Sequence, residues 1–301
     1  MDLSHWTLDD LHAELLGRSR STPIALEALG LDDAPASALA DVDPRTLFDE
    51  IRLRQKQIYG DDDRIEVHAA DHEEQRKNAR SVAALFDVDA VVPTSGGLVS
   101  LPPTPFRAAY AAKQTPLCSH EPFADQPAGA KGTAFLVGPD LVATAAHCVE
   151  PDALHRKRFV FGYVVDPLDG ARLRLPVDDI YAGIRIEERR FERYGADWAV
   201  VRLDRVVEGR AALRLRASGR ARKDAPVYVI GHPIGLPMKV AGGATIREND
   251  HDDYFVANLD TYGGSSGSPV FDAESHEVEG ILVRGEQDFA PLGNCYASLV
   301  C

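Results

Sequence analysis

From residue 132 onward the chain runs as short apolar stretches cut by turn signals, at 133–137, 141–144, 158–165, 198–203, 227–230, 254–257, 270–271 and 280–283. Many short strands at this spacing predict a β-barrel or sandwich. One short helical turn is expected among them, over 145–148. The upstream texture differs. Leu8, Leu11, Leu15 and Leu16 recur at helical spacing after Thr7, a fitting N-cap, and Leu47, Phe48, Ile51 and Leu53 form a second candidate helix after Pro44. Residues 71–84 read equally as a short charged helix or as a strand leading into the body. Residues 92–131, rich in Pro, Gly and small side chains, read as loop. The pattern therefore predicts a mainly β body at 58–301, with its core from about residue 80, behind a small helical N-terminal extension at 1–57.

Composition narrows the classes. The chain has 301 residues and 45% hydrophobic content, enough for one or two cored domains. A net charge of -14 argues against a nucleic-acid partner, which would require a basic face. No apolar run reaches the ~18 residues of a membrane span, so no membrane partner is expected. The N-terminus is acidic and lacks the apolar segment of a signal peptide. A cytoplasmic protein is the simplest expectation, with a secreted or periplasmic one as the alternative. Cys118, Cys148, Cys295 and Cys301 allow three full pairings, and Cys295 and Cys301 are close enough to close a small loop. No Cys-x-x-Cys pair exists, so neither a structural zinc nor another metal is expected, and free thiols and disulfides both stay open.

Three motifs carry the candidate chemistry. Ala143-Thr144-Ala145-Ala146-His147-Cys148 places a His after an apolar strand and a run of small residues, which lets a general base approach a nucleophile closely. Alone, such a His reads as structural. Asp197 precedes the strand Trp198-Ala199-Val200-Val201 and is placed to bind the second ring nitrogen of a His. Alone, it reads as a turn residue. Gly263-Gly264-Ser265-Ser266-Gly267-Ser268-Pro269 is the most specific. Its glycines permit a backbone turned so that the N–H groups of Gly264 and Ser266 converge as an oxyanion hole, with Ser266 as nucleophile. The order His, Asp, Ser matches one of the known triad arrangements. The same stretch also reads as G-x-S-x-G, the nucleophile elbow of another hydrolase fold. That fold needs its acid and its His after the Ser, and too little chain follows.

Together these segments resemble the chymotrypsin-fold serine peptidases over residues 80–301. Gly132-Thr133-Ala134-Phe135-Leu136-Val137-Gly138, the His147 motif, and Asp260-Thr261-Tyr262 running into the serine loop look most like bacterial members related to glutamyl endopeptidases. Gly231-His232-Pro233-Ile234-Gly235 resembles a turn of that group, which makes His232 a turn residue rather than a second base. The resemblance implies two six-stranded antiparallel barrels. His147 and Asp197 would come from the first, Ser266 from the second, and no cofactor would be needed. Animal trypsins carry an Asp before the nucleophile that pairs with a newly cleaved N-terminus. Here Ser265 holds that position, and trypsin-type activation is not expected.

In relatives Cys148 pairs with a Cys before the Gly132 strand. Ala130-Lys131 stand there instead, so Cys148 is either free or paired elsewhere, with Cys118 the nearest candidate in sequence. Alignment on Ser266 puts Asp260 where trypsins keep the carboxylate that selects basic side chains, and Thr261 where glutamyl endopeptidases keep a pocket Thr. Arg284 either receives an acidic side chain or is a solvated loop residue. The resemblance implies a serine endopeptidase acting on a protein or peptide substrate. The rival reading is a protease-fold binding or regulatory module working through residues 1–57, which are also candidates for a pro-segment or for docking a protein partner.

Overall fold

The structure, a computed structural model, describes residues 62–111, 116–192, 195–284, 288–292 and 295–298, together with Leu3, Trp6, Asp10, Leu11, Glu14, Leu39, Asp41, Val42, Asp43 and Thr46. The chain divides into two compact units, Met1–Lys56 and Gln57–Cys301. In the first, Asp10, Leu11, Glu14 and Thr46 have helical backbone. Leu3, Leu11, Leu39 and Val42 form a small buried cluster with Trp6 packed on it. The other positions of the two expected helices lie outside the described residues.

The second unit opens on strand β1 (Arg64–Glu66), and helix α1 (Glu73–Ala79) leads into β2 (Val82–Asp87). Residues 71–84 are thus helix first and strand second. Glu73 and Glu74 in the first turn and Arg76 and Lys77 in the last suit the helix dipole, and the apolar run that follows goes into the core. Strands β3 (Gly132–Leu136), β4 (Leu141–Thr144), β5 (Lys157–Phe161), β6 (Ile180–Phe191) and β7 (Asp197–Leu203) join β2 in a closed antiparallel barrel, in the order β6-β7-β4-β3-β2-β5. Strand β7 alternates strictly. Asp197, Ala199, Val201 and Leu203 are buried, while Trp198, Val200 and Arg202 are only partly covered. Ala199, Val201 and Leu203 pack with Leu85, Leu136 and Phe159 in the barrel interior.

Strands β8 (Pro226–Gly231), β9 (Lys239–Glu248), β10 (Val256–Ala257), β11 (Pro269–Asp272) and β12 (Val278–Ile281) form the second half with β1. Their order is β1-β9-β8-β11-β12, with β10 on β9. Two closed barrels were expected. Among the described residues this second ladder stays an open six-stranded sheet. A terminal hairpin, β13 (Phe289–Leu292) with β14 (Cys295–Ser298), pairs on its own. Phe135 from β3, Val82 from β2 and Ala143 from β4 meet Tyr228, Ile230 and Phe271 of the sheet in one buried cluster, so β3 is covered on both faces.

Two long strands were not anticipated. Strand β6 carries Glu187-Glu188-Arg189-Arg190, which hides its period. Its outer half is held by pairing with β7 from Arg185↔Arg202 to Phe191↔Asp197, and by ion pairs from Glu187 to Arg185 and Arg202. In β9, Gly242-Gly243 sits at a register shift opposite Val227 and Val229. The barrel part also holds more than one helical turn. Besides Ala146–Cys148 there are 3-10 turns at Pro151–Arg156 and Val177–Asp179, and another precedes β9 at Pro233–Gly235.

Cys118 is joined to Cys295. Of the two alternatives left open for Cys148, a free thiol or a bond to another cysteine such as Cys118, the structure has the free thiol. Cys301 lies outside the described residues. No helix among the described residues is long and apolar enough to cross a membrane. Because Phe135 is 1% exposed at the junction of barrel and sheet, Phe135→Ala should destabilise the protein by about 3–5 kcal/mol, measured by chemical denaturation.

Candidate active site

Strand β4 ends at Thr144, and the chain turns at once into the tight turn carrying His147. Strand β7 is paired to β4 with Ala199 opposite Thr144, which brings the start of β7 beside that turn. Asp197 lies on the inward face and its side chain is 3% exposed. Its Oδ2 accepts from His147 Nδ1 at 2.7 Å, and its Oδ1 accepts the His147 backbone N–H at 3.1 Å. A carboxylate that receives both groups fixes ring orientation and tautomer together, leaving Nε2 as the basic nitrogen.

The serine loop is organised by alternate hydrogen bonds. Gly263 N–H donates to Asp288, Ser265 N–H to the Tyr262 carbonyl at 3.0 Å, Gly267 N–H to Leu282 at 2.7 Å, and Ser268 N–H to Ser265 at 2.9 Å. The N–H groups left without an acceptor among the described residues are those of Gly264 and Ser266. Gly264 has φ +94, and a Cβ there would lie 3.0–3.1 Å from backbone atoms of the turn at 232–235. Gly267 has φ +89, and a Cβ there would lie 2.0 Å from the Thr133 carbonyl oxygen. Only glycine fits either position.

Thr133 on β3 couples this loop to the barrel. Its N–H donates to the Ser266 carbonyl at 2.8 Å, and its carbonyl accepts from Thr144 Oγ1 at 2.6 Å. Its hydroxyl accepts from His232 N–H at 3.1 Å and reaches the Gly264 carbonyl at 3.4 Å. Cys148 Sγ lies 3.8 Å from the Ser266 carbonyl oxygen. The structure thus brings His147 and Asp197 into direct contact and seats the Ser266 backbone beside the residue that follows His147. No hydrogen bond joins Ser266 Oγ to His147 among the described residues. Burial pushes the Cys148 thiol up to about 12, so it packs behind the loop as an unreactive thiol.

His232 is fully buried, donates from Nδ1 to the Leu236 carbonyl at 3.0 Å and stacks on Tyr163. Burial lowers its pKa to about 3, so it stays neutral and serves the turn. Asp260 is 3% exposed and accepts the Asp63 backbone N–H at 2.9 Å. Thr261 is buried beside it. Arg284 donates to the carbonyls of Glu192 and Gly195, both at 2.9 Å. Arg284 is exposed and lies outside any strand or helix, as the solvated-loop reading had it, and its two bonds tie it to the residues before Asp197. Sequence reasoning missed Asp288, whose carboxylate takes the Gly263 N–H at 3.0–3.1 Å and which burial pushes up to about 6. No local signal marks it, because the contact depends on where the terminal segment folds back.

Residues 132–281 match the family model of the trypsin-like peptidase domain. The fold is trypsin-like. Solved structures similar to it include the VesB protease of Vibrio cholerae, at 16% identity over 78% of this chain and 62% of that one, with a TM-score of 0.47. The Rv3671c protease of M. tuberculosis in its active form is similar at 18% identity over 75% of this chain and 79% of that one, TM-score 0.40. A serine endoprotease of Yersinia pestis is similar at 13% identity over 75% and 61%, TM-score 0.44. The chain spans less than two thirds of the VesB and Yersinia chains. No curated protein matches it.

Two outcomes follow from this geometry. Gly267→Ala should cost about 2–4 kcal/mol in denaturant unfolding, through backbone strain and the clash with Thr133. His232 has a folded pKa depressed to about 3 from 6.5. The unfolded chain therefore binds a proton that the folded one does not between those values, and stability falls as pH drops from 6.5 toward 3. His232→Asn should flatten that slope by at most about 1.4 kcal/mol per pH unit, read from unfolding curves at several pH values. An unchanged slope would remove His232 as its source.

Proposed function

We propose that the protein is a serine endopeptidase that works through His147, Asp197 and Ser266. The observation that carries this is the double capture of His147 by Asp197, at ring nitrogen and backbone N–H, within a trypsin-like peptidase domain. Ser266 Oγ attacks a peptide carbonyl and its proton passes to His147 Nε2. Asp197 stabilises the imidazolium. The N–H groups of Gly264 and Ser266 receive the carbonyl oxygen as it becomes an oxyanion. His147 returns the proton to the leaving amine, and water, activated by the same base, releases the acyl group from Ser266. Hydrogen bonds between nucleophile and base are often long before substrate arrives, and the mechanism needs only that Ser266 Oγ reach Nε2 when substrate is bound.

The motif at 260–269 supports a kinship with glutamyl-endopeptidase-like members. The buried Asp260, bonded to Asp63 N–H, favours a structural part for that carboxylate over selection of a basic side chain. The Cys118–Cys295 bond favours an oxidising compartment, and hence the secreted or periplasmic alternative, over the cytoplasm.

Fluorophosphonate labelling of the full chain tests the reading. Peptide mapping should place the adduct on Ser266, and Ser266→Ala should abolish it. Asp197→Asn should lower kcat by about 10⁴ with the fold intact, as loss of the correct tautomer does in comparable triads. An adduct elsewhere, or full activity without Ser266, would sink the proposal.

A further inference from the structure

The loop that holds Gly264 and Ser266 has little of its own to hold it. Gly263 is exposed, Gly263 and Gly264 have no side chains, and the turn begins with the Tyr262 carbonyl accepting Ser265 N–H. The residue that leads into the loop is Tyr262, 4% exposed. Its partners come from distant parts of the chain. Arg64 lies 198 positions away, with its guanidinium 3.9 Å from the ring centroid and its Nη2 donating to the Tyr262 hydroxyl at 3.0 Å. Phe289 packs on the ring at 4.9 Å between centroids, and the hydroxyl also meets Ser298 Oγ, itself bound to Glu121.

Arg64 is in turn held firmly. Asp62 takes its Nε and Nη2 at 2.7 Å each. Its strand pairs with β9 at Arg64↔Ala241 and Glu66↔Lys239, and the buried Lys239 closes on Glu66 at 2.9 Å. The preceding Asp63 N–H is held by Asp260, two residues before Tyr262. The Arg64 side chain is 1% exposed, and its Nη1 is buried with no hydrogen-bond partner among the described residues. A buried guanidinium with an unpaired donor is a costly spacer, which an apolar side chain would replace without penalty if packing were its whole task.

We propose that Arg64 is a positioning residue for catalysis: by clamping the Tyr262 ring and hydroxyl it sets the orientation of the Gly264 and Ser266 N–H groups, so segment 62–66 works as an internal brace for the serine loop. The inference rests on the peptidase reading above. The brace acts at a distance from the reacting atoms, and so its loss moves turnover more than substrate capture. Small displacements of oriented groups cost about 10²-fold in rate, and loss of one oxyanion donor about 10²–10³-fold.

The test uses the full-length chain with Arg64→Met, Arg64→Lys and Tyr262→Phe, each checked for folding by circular dichroism and thermal melting. Rate constants for fluorophosphonate labelling of Ser266 are measured alongside kcat and KM on a peptide substrate. The expected result is a fall of about 10–100-fold in labelling rate and kcat for Arg64→Met, with KM within about threefold of the parent value. Arg64→Lys should recover part of the loss. Tyr262→Phe, which keeps the ring and removes only the hydroxyl, should lose less, and its effect should be non-additive with Arg64→Met. If Arg64→Met does not fold, Tyr262→Phe and Arg64→Lys carry the test. Folded variants that label as fast as the parent, or that change KM alone, overturn the brace and leave the peptidase reading standing. A parent chain that does not label Ser266 overturns both.

Discussion

Thr133 is the joint on which the site depends. It is completely buried, and its backbone and side-chain polar groups bond within the barrel to Thr144 and across the boundary to Ser266, His232 and Gly264. Thr144 ends the strand that delivers His147, and Ser266 heads the run into β11. A single side chain and peptide therefore link the strand that leads to His147 with the loop that carries Ser266. Because buried polar groups are expensive to leave unpaired, each bond enforces the others, and the two halves have one low-energy way to meet. Gly267 completes the joint by letting the loop lie directly on the Thr133 carbonyl.

Electrostatics divide sharply between the site and its supports. Asp197 is buried yet saturated with donors from His147, which is how a carboxylate can stay useful out of water. His232 goes the other way: its Nδ1 meets a backbone carbonyl and no carboxylate, and burial keeps it neutral. Two histidines near the same loop thus have different chemistry, because one faces a carboxylate and the other a carbonyl. The surface of β6 and β7 is laced by exposed ion pairs such as Arg185–Glu187. Pairs of that kind contribute at most about 1 kcal/mol each, so the barrel is held chiefly by its apolar interior.

Much was legible in the sequence where the physics is local. Strand β7 showed as a short apolar run after Asp197. The turn before His147 showed in its small residues. The serine loop showed in glycines that no other residue replaces at positive φ. What stayed hidden had a non-local cause. Strand β6 is set by its neighbours rather than by its own charged sequence. The double glycine of β9 is a bulge only because β8 lies opposite. Cys118 finds Cys295 instead of Cys148 because the loop at 116–118 pairs its backbone with Tyr296.

By itself, then, the sequence determined the β character of the body, the candidates for base, acid and nucleophile, and the glycine positions that shape the loop. These follow from side-chain chemistry and local backbone freedom, which each segment carries with it. Only the tertiary structure decided which side chains hold that loop: Thr133 from the barrel, Asp288 from the terminal segment, and Arg64 from a strand 198 positions from Tyr262. Such contacts arise from burial and from the need to pair buried polar groups, and both exist only once distant segments share one core.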